Sequence, residues 1–590
     1  MTWQIIINLI EKSIKELQKE KIFPKFEPPK IKVEHPEEKA HGDYATNIAM
    51  VIAGQVKKNP MEIAEALKSK VKGQKSKVFD EVEVVKPGFI NFFLSKEYLL
   101  KEIKTILREK DKYGSSKMGR GRIVVIDYSS PNIAKPFGIG HLRSTIIGQA
   151  LYNIYKFLGW KCIGDNHLGD WGTQFGKLIV AIKKWGDEKN LEGLSIDDLE
   201  KLYVKFHQEA ESDLRLEEEG RMWFKKLEKG DKEARKIWQA CVNISLKEFN
   251  KIYKFLGIKI DYAFGESFYE PLLKEILREA KEKGVAKESR GALIIEYPKN
   301  ELPPAMLLKS DGTTTYLTRD LATVKYRLKR WKPDLIIYEV GADQELHFKQ
   351  LFKAVGLLGW TNPAPEQVRC GARKVKFFHV AHGLYRTKTG KFSTRKGETV
   401  HLEEVLKEAI ERVREIIEKS ETGRGLSENE KEKITRAVGI GAIKYNDLSQ
   451  YYSRDIVFDW DKILNLKGNS APYLQYTFAR CQSVLRKAKL KIVARKIKII
   501  DFKLEEENIL RTIYKFPEIV QEAAERLSPN LVCNFVFDLA QKYNLFYDLY
   551  PIIRAETREL KIFRLALTAA VAQVLKNSLS LLDIGVSEKM

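Results

Sequence analysis

Short, nearly continuous apolar runs separated by helical patterns organise the middle of the chain. The run RIVVIDYS at Arg122–Ser129 is typical of a strand buried on both faces of a parallel sheet. Apolar residues then repeat at helical spacing over His141–Leu158, and Gly159 ends the helix. KCIGDNH at Lys161–His167 returns as a second strand. A β-α-β unit of this kind has its ligand site beyond the carboxyl ends of its strands.

The same pattern resumes after a long charged stretch. Between about Gly186 and Lys283 the sequence is charged and helical, and two further short apolar strands follow at Asp334–Gly341 and Lys376–Gly383. We therefore predict a Rossmann-type α/β nucleotide-binding domain over residues 120–400, with a connective insertion at about 186–300.

Different patterns flank this domain. Residues 1–112 combine an amphipathic first helix, a helix at Met61–Val71 and the strand-like VFDEVEVV and FINFFL, which predicts an N-terminal α+β domain. From Leu402 onward only helical periodicity remains, through a last helix at Phe563–Leu582. We divide this part into a helical linker, 401–465, and an all-α domain, 466–590. The chain is thus expected to be a multidomain α/β protein.

Composition suggests the kind of partner. A formal net charge of +23 over 590 residues suits a soluble protein that binds a polyanion, with nucleic acid as the first candidate. The alternative is that abundant lysine reflects a warm habitat. The five cysteines are scattered without a CxxC pair, so neither a disulfide framework nor a zinc knuckle is indicated and a reducing cytoplasm fits. Neither an export signal nor a membrane span is expected.

The loop between the first strand and its helix is the strongest candidate for a ligand site. It reads SSPNIAKPFGIGHLRS, and Gly138 and Gly140 allow backbone to approach a ligand closely. The helix that begins near His141 offers unpaired N–H groups and a partial positive charge to a phosphate. Taken alone, a glycine-rich loop is more often a tight turn than a nucleotide site.

Five ordered motifs carry a resemblance to one family. GIGH at Gly138–His141 resembles the HIGH signature of class I aminoacyl-tRNA synthetases, and the string around it resembles the arginyl-tRNA synthetase form. Four more segments match that family in order: NHLGDWGTQFG (Asn166–Gly176), YLTRD (Tyr316–Asp320), GADQELHF (Gly341–Phe348) and KFSTRKG (Lys391–Gly397). Two positions depart from the signatures. Gly138 replaces the first histidine of HIGH, and Thr394 replaces the second lysine of the KMSKS-type loop.

The resemblance implies a class I arginine–tRNA ligase. Such an enzyme uses ATP to convert L-arginine into arginyl-adenylate, and it then transfers the arginyl group to the 3′-terminal adenosine of arginine tRNA, releasing AMP and pyrophosphate. It implies Mg²⁺ bound through ATP and no structural metal, with a cytoplasmic location. We expect a monomer. In the family, the helical C-terminal bundle binds the anticodon stem-loop and the N-terminal domain reaches the D-loop at the tRNA elbow.

Two alternatives remain open. One is a class I synthetase for glutamate or cysteine, although Asp127 and Asp320 disfavour an anionic substrate and the lack of clustered Cys and His disfavours a thiol selected by zinc. The other is a catalytically silent module that binds tRNA or an amino acid. Gly138 supports that alternative, whereas His141 and Lys135 oppose it.

An arginine site needs buried carboxylates, because a guanidinium has five donors and keeps its charge. Asp127 ends the first strand at the carboxyl edge of the sheet, and Asp320 shares a helical face with Tyr316. The alternatives are a structural role for Asp127 and a cap or ion pair with Arg319 for Asp320. The resemblance adds three further arginine contacts: Ser130, Asn132 and Gln344.

The resemblance also implies where ATP lies. The expected contacts come from the glycine-rich loop, the GDWG segment and the KMSKS-like loop: Pro131, Asn132, Ile133, Ala134, Lys135, Pro136, Phe137, Gly138, Ile139, Gly140, His141, Gly169, Asp170, Gly172, Ser393 and Thr394. Catalytic charge stabilisation is expected from His141, Lys391 and Arg395, with Lys135 substituting for the missing signature lysine. The alternative for Lys135 is a solvated side chain before Pro136.

A helical stripe in the C-terminal region suits contact with unpaired bases. Tyr473, Tyr476 and Arg480 recur at spacings of three and four, and aromatic rings beside an arginine can stack single-stranded bases. Packing of this stripe in a core is the alternative. The resemblance adds five tRNA contacts: Tyr547 and Met590 near the anticodon, and His41, Asp43 and Asn47 near the elbow.

Overall fold

The structure is a computed structural model, and it describes residues 2–73, 77–298, 301–361, 374–387, 390–391, 401–490, 497–498 and 501–590. Three of the predicted site residues, Ser393, Thr394 and Arg395, lie outside these described residues.

The N-terminal domain packs helices on a small antiparallel sheet with strand order β1-β3-β2. Helix α1 buries Ile6, Ile10, Ile14 and Leu17, the single stripe expected of an amphipathic helix on a core. The elements are α1 (Thr2–Lys19), β1 (Tyr44–Thr46), α2 (Ile48–Val56), α3 (Pro60–Gly73), β2 (Phe79–Val85), β3 (Phe89–Leu94) and α4 (Lys96–Glu109). This domain has the α+β composition that the sequence predicts.

The next part of the chain, from Ile123 to Lys391, alternates strands and helices. Its first half contains β4 (Ile123–Asp127), α5 (Gly140–Phe157), β5 (Lys161–Leu168), α6 (Thr173–Trp185), α7 (Ile196–Ser212), α8 (Arg215–Glu228), α9 (Lys232–Leu256), β6 (Tyr262–Gly265) and α10 (Leu273–Glu282). Its second half contains β7 (Ala286–Ser289), β8 (Ala292–Ile295), β9 (Ala305–Leu308), α11 (Tyr316–Trp331), β10 (Leu335–Gly341), α12 (Glu345–Leu357), β11 (Lys376–His382), β12 (Tyr385–Thr387) and β13 (Gly390–Lys391).

The central sheet is parallel and five-stranded, with order β11-β10-β4-β5-β6. Val124, Val125 and Ile126 in β4 are fully buried, which explains why this strand is apolar without alternation. From β4 the chain adds β5 and β6 on one side and later β10 and β11 on the other. The strand order therefore reverses between β4 and β10, where open α/β sheets bind ligands.

The insertion departs from the prediction of an entirely helical charged stretch. Helices α7 to α9 occupy most of it, but Tyr262–Gly265 forms β6, so the prediction is wrong there. A three-stranded antiparallel sheet, β7-β8-β9, follows. Each of these strands has only four residues, too few for a period of two to stand out from a helical pattern.

The C-terminal part is helical apart from one short strand. It contains α13 (Leu402–Lys419), α14 (Glu421–Arg424), α15 (Glu428–Leu448), β14 (Ile456–Val457), α16 (Trp460–Ile463), α17 (Ala471–Ala488), α18 (Leu504–Ile513), α19 (Phe516–Glu525), α20 (Asn530–Leu549) and α21 (Arg558–Leu581). The prediction of helices alone is wrong at Ile456–Val457, which pairs in parallel with β12. Helix α21 packs against α17, α20 and α4 and so joins the bundle to the N-terminal domain.

The described residues contain neither a membrane-spanning helix nor a cluster of metal ligands. No helix in them combines the length and the apolar character needed to cross a bilayer. No group of three or more His, Cys, Asp or Glu side chains in them is arranged to hold a metal ion.

Candidate active site

The candidate site lies at the carboxyl edge of the central sheet, at the reversal of strand order. Asp127 ends β4, and Tyr338 of β10 lies opposite it in the parallel register. The segment between β4 and α5, residues 128–139, is called the signature loop below. It crosses this edge, and α5 begins at Gly140 directly after it.

Unusual backbone conformations shape the signature loop. Ser129, Ser130 and Ala134 have φ angles of 76°, 43° and 62°, a left-handed conformation that costs free energy for residues with a side chain. The N–H group of each donates to a side chain on another element. The acceptors are Ser144 Oγ for Ser129, Asn166 Oδ1 for Ser130 and Ser245 Oγ for Ala134, at 2.9, 2.9 and 2.8 Å. The fold thus holds the loop in a shape that its local sequence does not favour.

The signature loop pairs with the GDWG segment, as the predicted ATP site requires. Ile133 N–H donates to Gly169 O at 3.1 Å, and Gly169 N–H donates to Pro131 O at 3.2 Å. A Cβ on Gly169 would lie 2.2 Å from Asn132 Oδ1, so a side chain at this position would displace the exposed Asn132 side chain. Asp170 accepts from Ser267 N and Oγ at 2.8 and 2.6 Å, which ties the segment to the end of β6.

Within residues 131–140 the exposed positions are Asn132, Lys135 and Gly140, while Pro131, Ile133, Ala134, Pro136, Phe137, Gly138 and Ile139 are buried. A Cβ on Gly140 would meet no atom within 4 Å. The predicted ATP contacts therefore divide into three positions that face open space and seven whose side chains face the protein. Gly172 is partly exposed and precedes α6 with a φ of 132°.

The N-terminus of α5 is open to an anion. Its N-cap, Ile139, contributes no side-chain hydrogen bond. The N–H groups of His141 and Leu142 donate to Gly138 O and Ile139 O at 3.0 and 3.1 Å, so the attraction for a phosphate comes from the positive end of the helix dipole. His141 lies in this first turn, and its Nδ1 is buried without a hydrogen-bond partner among the described residues. Burial lowers the pKa of His141 to about 4, with Lys135 and His382 adding repulsion of positive charge. At neutral pH this imidazole is uncharged and can donate one hydrogen bond.

Asp127 is occupied by groups of the protein. Its Oδ1 accepts from Ser130 Oγ at 3.0 Å, and its Oδ2 accepts from Arg327 Nη2 at 2.7 Å. Arg327 is fully buried and also donates from Nε to Asp165 at 2.8 Å. This buried ion cluster supports the structural alternative for Asp127, because breaking a buried pair leaves an uncompensated charge.

Asp320 has the environment of an ionised acid. It lies in the second turn of α11, and its Oδ2 is 2.5 Å from His347 Nε2, while its Oδ1 is 3.8 Å from His167 Nε2. Burial alone would raise the pKa of Asp320, but the hydrogen bond and charge of His347 outweigh it and lower the pKa. The pKa of His347 is raised: burial opposes its charge, and Asp320 more than compensates. The alternative of an Asp320–Arg319 ion pair does not occur among the described contacts, where Arg319 pairs with other acids.

Tyr316 and Gln344 lie at the mouth of this region. Tyr316 begins α11 and its side chain is 63% exposed. Gln344 is exposed at the end of the turn that precedes α12. Both side chains are thus available to a ligand that approaches Asp320 from solvent.

Sequence reasoning missed an acidic cluster beside Asp320. Glu266 follows β6 directly, and its Oε2 lies 3.6 Å from Arg319 Nη1, while Glu270 Oε1 lies 3.5 Å from Arg319 Nε. These three atoms, Glu266 Oε2, Glu270 Oε1 and Arg319 Nε, are buried without a hydrogen-bond partner among the described residues. Burial raises the pKa of Glu266 to about 7. The signal that could have located it is its place one residue beyond a strand, but β6 itself was not recognised.

Two lysines, Lys135 and Lys391, are expected to act on the phosphates, and the structure describes a side chain only for Lys135. Lys135 is exposed, with Nζ 5.9 Å from the centre of the Tyr203 ring on α7. Its ammonium therefore lies at the rim of the signature loop rather than buried in a structural ion pair. For Lys391 only the backbone is described, in β13 opposite Arg386 of β12. The KMSKS-like residues after it lie outside the described part of the chain.

The predicted tyrosine stripe on α17 faces two ways. Tyr473 packs its ring 5.6 Å from that of Phe537 and accepts from Asn544 Nδ2 at 2.9 Å. Tyr476 is 42% exposed and Tyr547 of α20 is 38% exposed. The Arg480 guanidinium lies between these two rings, at 5.1 and 4.7 Å from their centres. Met590 lines the same open cavity, which has a volume of about 390 Å³ and is called the tyrosine–arginine pocket below.

The predicted elbow-binding residues also differ in exposure. His41 is exposed in the turn before β1, and Asn47 is partly exposed at the start of α2. Asp43 is buried, where it accepts from Leu94 N at 2.8 Å and forms an ion pair with Arg511 of α18. Asp43 thus joins the N-terminal domain to the helical bundle.

Comparison of the sequence with known families covers nearly the whole chain. Residues 102–460 match the family described as tRNA synthetases class I (R), catalytic domain. Residues 474–590 match the DALR anticodon binding domain, and residues 4–94 match the arginyl tRNA synthetase N terminal domain. The arginine–tRNA ligases of Clostridioides difficile (strain 630) and Halothermothrix orenii (strain H 168) are each 41% identical to this chain, over 595 and 592 residues. Each alignment covers 99% of both proteins.

Solved structures show the same similarity. The arginyl-tRNA synthetase from Plasmodium falciparum superposes with a TM-score of 0.82 at 28% identity, covering 100% of this chain and 99% of the other. The Thermus thermophilus arginyl-tRNA synthetase gives a TM-score of 0.82 at 25% identity and covers 100% of both chains. The similarity therefore extends to the arrangement of all three parts of the chain.

Proposed function

The chain belongs to the arginyl-tRNA synthetase family, and from that premise we propose how its residues bind the substrates. The reaction itself follows from membership: a class I aminoacyl-tRNA ligase activates arginine with ATP and esterifies it to tRNA. The roles of individual residues, the placement of the domain boundaries, the cytoplasmic location and the monomeric state are part of the proposal.

The substrate guanidinium is held by Asp320 together with Glu266. The observation that carries this assignment is a pair of buried acceptors beside Asp320, Glu266 Oε2 and Glu270 Oε1, which face Arg319 at 3.6 and 3.5 Å but have no hydrogen-bond partner among the described residues. A guanidinium supplies up to five N–H donors in a planar fork and suits such a set of acceptors. Tyr316 covers the side chain from solvent. Ser130, Asn132 and Gln344 bind the α-amino and carboxylate end nearer the signature loop.

Asp127 has a structural role, and its carboxylate oxygens do not contact the substrate. Both oxygens are engaged, one by Ser130 and one by Arg327. It therefore fixes the turn that carries Ser130, and Glu266 supplies the second carboxylate that the sequence assigned to Asp127.

ATP lies across the signature loop, with its phosphates at the N-terminus of α5. The positive end of the α5 dipole and the neutral imidazole of His141 stabilise the charge that develops on the α-phosphate when the arginine carboxylate attacks it. Lys135, exposed at the loop rim, approaches the triphosphate in place of the missing signature lysine. Bringing the reacting atoms into line is the main contribution, since the reaction needs no covalent enzyme intermediate.

Mg²⁺ would be held by the phosphates of ATP rather than by a site of the protein. When bound it would neutralise part of the charge on the leaving pyrophosphate. The predicted roles of Lys391, Ser393, Thr394 and Arg395 on the KMSKS-like loop complete this phosphate site, and they remain predictions.

The tRNA is held at two places far apart in the chain. The tyrosine–arginine pocket in the anticodon-binding domain accepts an unpaired base that stacks on the exposed ring of Tyr476 or Tyr547, beside Arg480 and Met590, which the exposure of these rings supports. The exposed His41 and the half-exposed Asn47 contribute to the elbow contact. Tyr473 and Asp43 act behind these surfaces, because their polar groups are engaged within the protein.

The guanidinium site is tested by comparing Asp320→Asn and Glu266→Gln with wild type in aminoacylation. Each variant should raise the KM for arginine, because removing one partner of a desolvated charge costs about 2–5 kcal/mol. The KM for ATP should stay within about twofold, since neither side chain reaches the signature loop rim. Asp311→Asn, in an exposed turn, is the matched control and should leave both constants unchanged. An unaltered arginine KM in Glu266→Gln would remove Glu266 from the site.

A further inference from the structure

Lys444 on α15 is a buried lysine that the proposed catalytic steps do not use. Its side chain is 2% exposed. Its Nζ donates to Leu256 O at 2.5 Å, to Asp583 O at 2.8 Å and to the Asp583 carboxylate. All three ammonium protons are therefore used. Burial lowers the pKa of Lys444, and the contact with Asp583 opposes that shift.

The first acceptor lies at the end of α9. Leu256 is the last residue of this helix, and Gly257 follows it in a left-handed conformation with φ of 76°. Carbonyl groups at a helix C-terminus lack intrahelical donors and favour a nearby cation. Arg436, exposed on the same helix as Lys444, donates to the neighbouring carbonyl of Phe255 at 3.3 Å. Two cations of α15 thus hold the end of α9.

One turn earlier, α9 holds the signature loop. Tyr253 Oη contacts Ser129 Oγ at 2.7 Å and accepts from Asn166 Nδ2 at 3.0 Å. Asn166 in turn accepts from the N–H of Ser130 at 2.9 Å. Ser129 and Ser130 are two of the three left-handed residues of this loop, whose backbone must be held from outside. A displacement of the end of α9 would therefore reach the strained part of the loop directly.

The second acceptor lies at the start of the C-terminal tail, residues 583–590. Asp583 follows α21 with φ of 56°. The tail is fixed by Gln475, which donates to Gly585 O at 2.7 Å, and by Arg486, which donates to Glu588 O at 2.9 Å. The tail ends at Met590, in the wall of the tyrosine–arginine pocket.

We infer that Lys444 is a positioning residue that fastens the C-terminal tail to the end of α9, so that a base bound in the tyrosine–arginine pocket alters the placement of the signature loop. A buried ammonium that loses any of its three acceptors is left with an unmet polar group. The tail and the end of α9 therefore move together. This inference rests on the proposed role of the pocket as an anticodon-base site.

The experiment measures the affinity of the full chain for a non-hydrolysable arginyl-adenylate analogue by calorimetry. It is carried out alone and in the presence of a saturating RNA hairpin that contains the anticodon stem and loop of arginine tRNA. In wild type the hairpin should change the affinity by about fivefold or more, the range typical of coupled sites. In Lys444→Met the ratio should fall to about one, while the hairpin still binds.

Arg436→Met is the matched control. It removes a cation from the same end of α9, but Arg436 does not contact the tail, so the wild-type ratio should be kept. Lys444→Met leaves Asp583 without its ammonium partner and could lower stability, so Lys444→Met with Asp583→Asn is measured as well. A purely structural role would lower the melting temperature of the single variant but would leave the ratio intact in the double variant.

The possible outcomes distinguish failure of the Lys444 inference from failure of the pocket assignment. Loss of coupling in both Lys444 variants, with coupling kept in Arg436→Met, supports the inference. A wild-type ratio in Lys444→Met, or a ratio of one in wild type that binds the hairpin, overturns it. Failure of the hairpin to bind wild type contradicts the pocket assignment itself, and the inference is then rejected together with it.

Discussion

The acidic side chains beside Asp320 lack close hydrogen-bond donors. Glu266 and Glu270 face Arg319 at 3.6 and 3.5 Å, and each has a buried oxygen without a hydrogen-bond partner among the described residues. A buried acceptor without a hydrogen bond is unfavourable by itself. On the proposal above, the substrate guanidinium supplies the missing donors, which favours arginine over neutral and anionic amino acids.

The raised pKa of Glu266 predicts a pH-dependent arginine KM. Burial raises this pKa to about 7 in the free protein, so Glu266 is ionised above that pH and neutral below it. Arginine binding requires the ionised form. The arginine KM should therefore rise as the pH falls from 8 to 6, and steady-state aminoacylation across that range measures it.

The Glu266→Gln variant tests whether Glu266, rather than another nearby group, causes the pH dependence of the arginine KM. Asp320 stays ionised because its pKa is lowered, and the charge of its partner His347 is favoured because Asp320 raises the pKa of that imidazole. In the variant the arginine KM should lose most of its pH dependence. If the wild-type profile persists in Glu266→Gln, another group titrates and the assignment of Glu266 fails.

Lys135 is predicted to act on the triphosphate rather than on arginine. Lys135→Ala should lower the rate of adenylate formation by about 1.5–3 kcal/mol, roughly ten- to more than a hundredfold, the range of a charge-assisted contact. The arginine KM should hardly change. Single-turnover transfer from preformed adenylate should stay normal while pyrophosphate exchange is lost. Lys177→Ala on α6, which removes another lysine beside an α7 ring, is the control; wild-type exchange in Lys135→Ala would rule out its role.

At the residue scale, the sequence predicted which helix or loop carries a candidate residue, but it did not predict which side chains contact that residue. The motifs located Asp320, His141 and Lys135 because their spacing fixes them on one helix or loop. They could not reveal that Asp127 is engaged by Arg327, which is 200 positions away in the chain. Glu266 escaped notice for a similar reason, since its chemistry depends on a strand that the sequence does not mark.

At the scale of elements, the strands that are buried on both faces were predictable and the shorter ones were not. β4, β5 and β10 are buried over most of their length, so their side chains do not alternate between apolar and polar. β11 is an edge strand whose first residues are partly exposed, and its apolar residues still mark it. β6 has only four residues, and its burial pattern begins with exposed positions. It joins the sheet through backbone pairing with β5, which leaves no pattern in the side chains. The small sheet β7-β8-β9 is missed for the same reason.

Helix α17 gives a prediction about its two tyrosines. Tyr476→Ala should weaken binding of intact tRNA by about 1–3 kcal/mol, the value of stacking on one base. Binding of an acceptor minihelix, which lacks the anticodon, should be unchanged. Tyr473→Phe is the matched control, because it keeps the ring that packs on Phe537 and removes only the hydroxyl. Equal losses for both RNAs in Tyr476→Ala would place that ring in the core rather than against a base.

At the scale of the whole molecule, polar contacts hold the N-terminal domain against the helical bundle. Asp43 pairs with Arg511, and Tyr44 and His35 both contact Glu518 at 2.8 and 3.0 Å. These contacts fix the distance between the proposed elbow-binding surface and the tyrosine–arginine pocket. On our proposal, a tRNA that contacts both must match that distance. The net charge of +23 would add non-specific attraction for the phosphate backbone, and recognition would come from the two proposed sites.

The most direct test of the account is amino-acid-dependent ATP–pyrophosphate exchange by the purified chain, screened over the twenty amino acids in the presence and absence of arginine tRNA. The acidic cluster beside Asp320 predicts exchange with arginine and with no neutral or anionic amino acid. In Glu266→Gln the exchange rate with arginine should be lower than in wild type at subsaturating arginine. A high concentration of arginine should restore that rate. Exchange with glutamate or cysteine, or no exchange with arginine under either condition, would contradict the account.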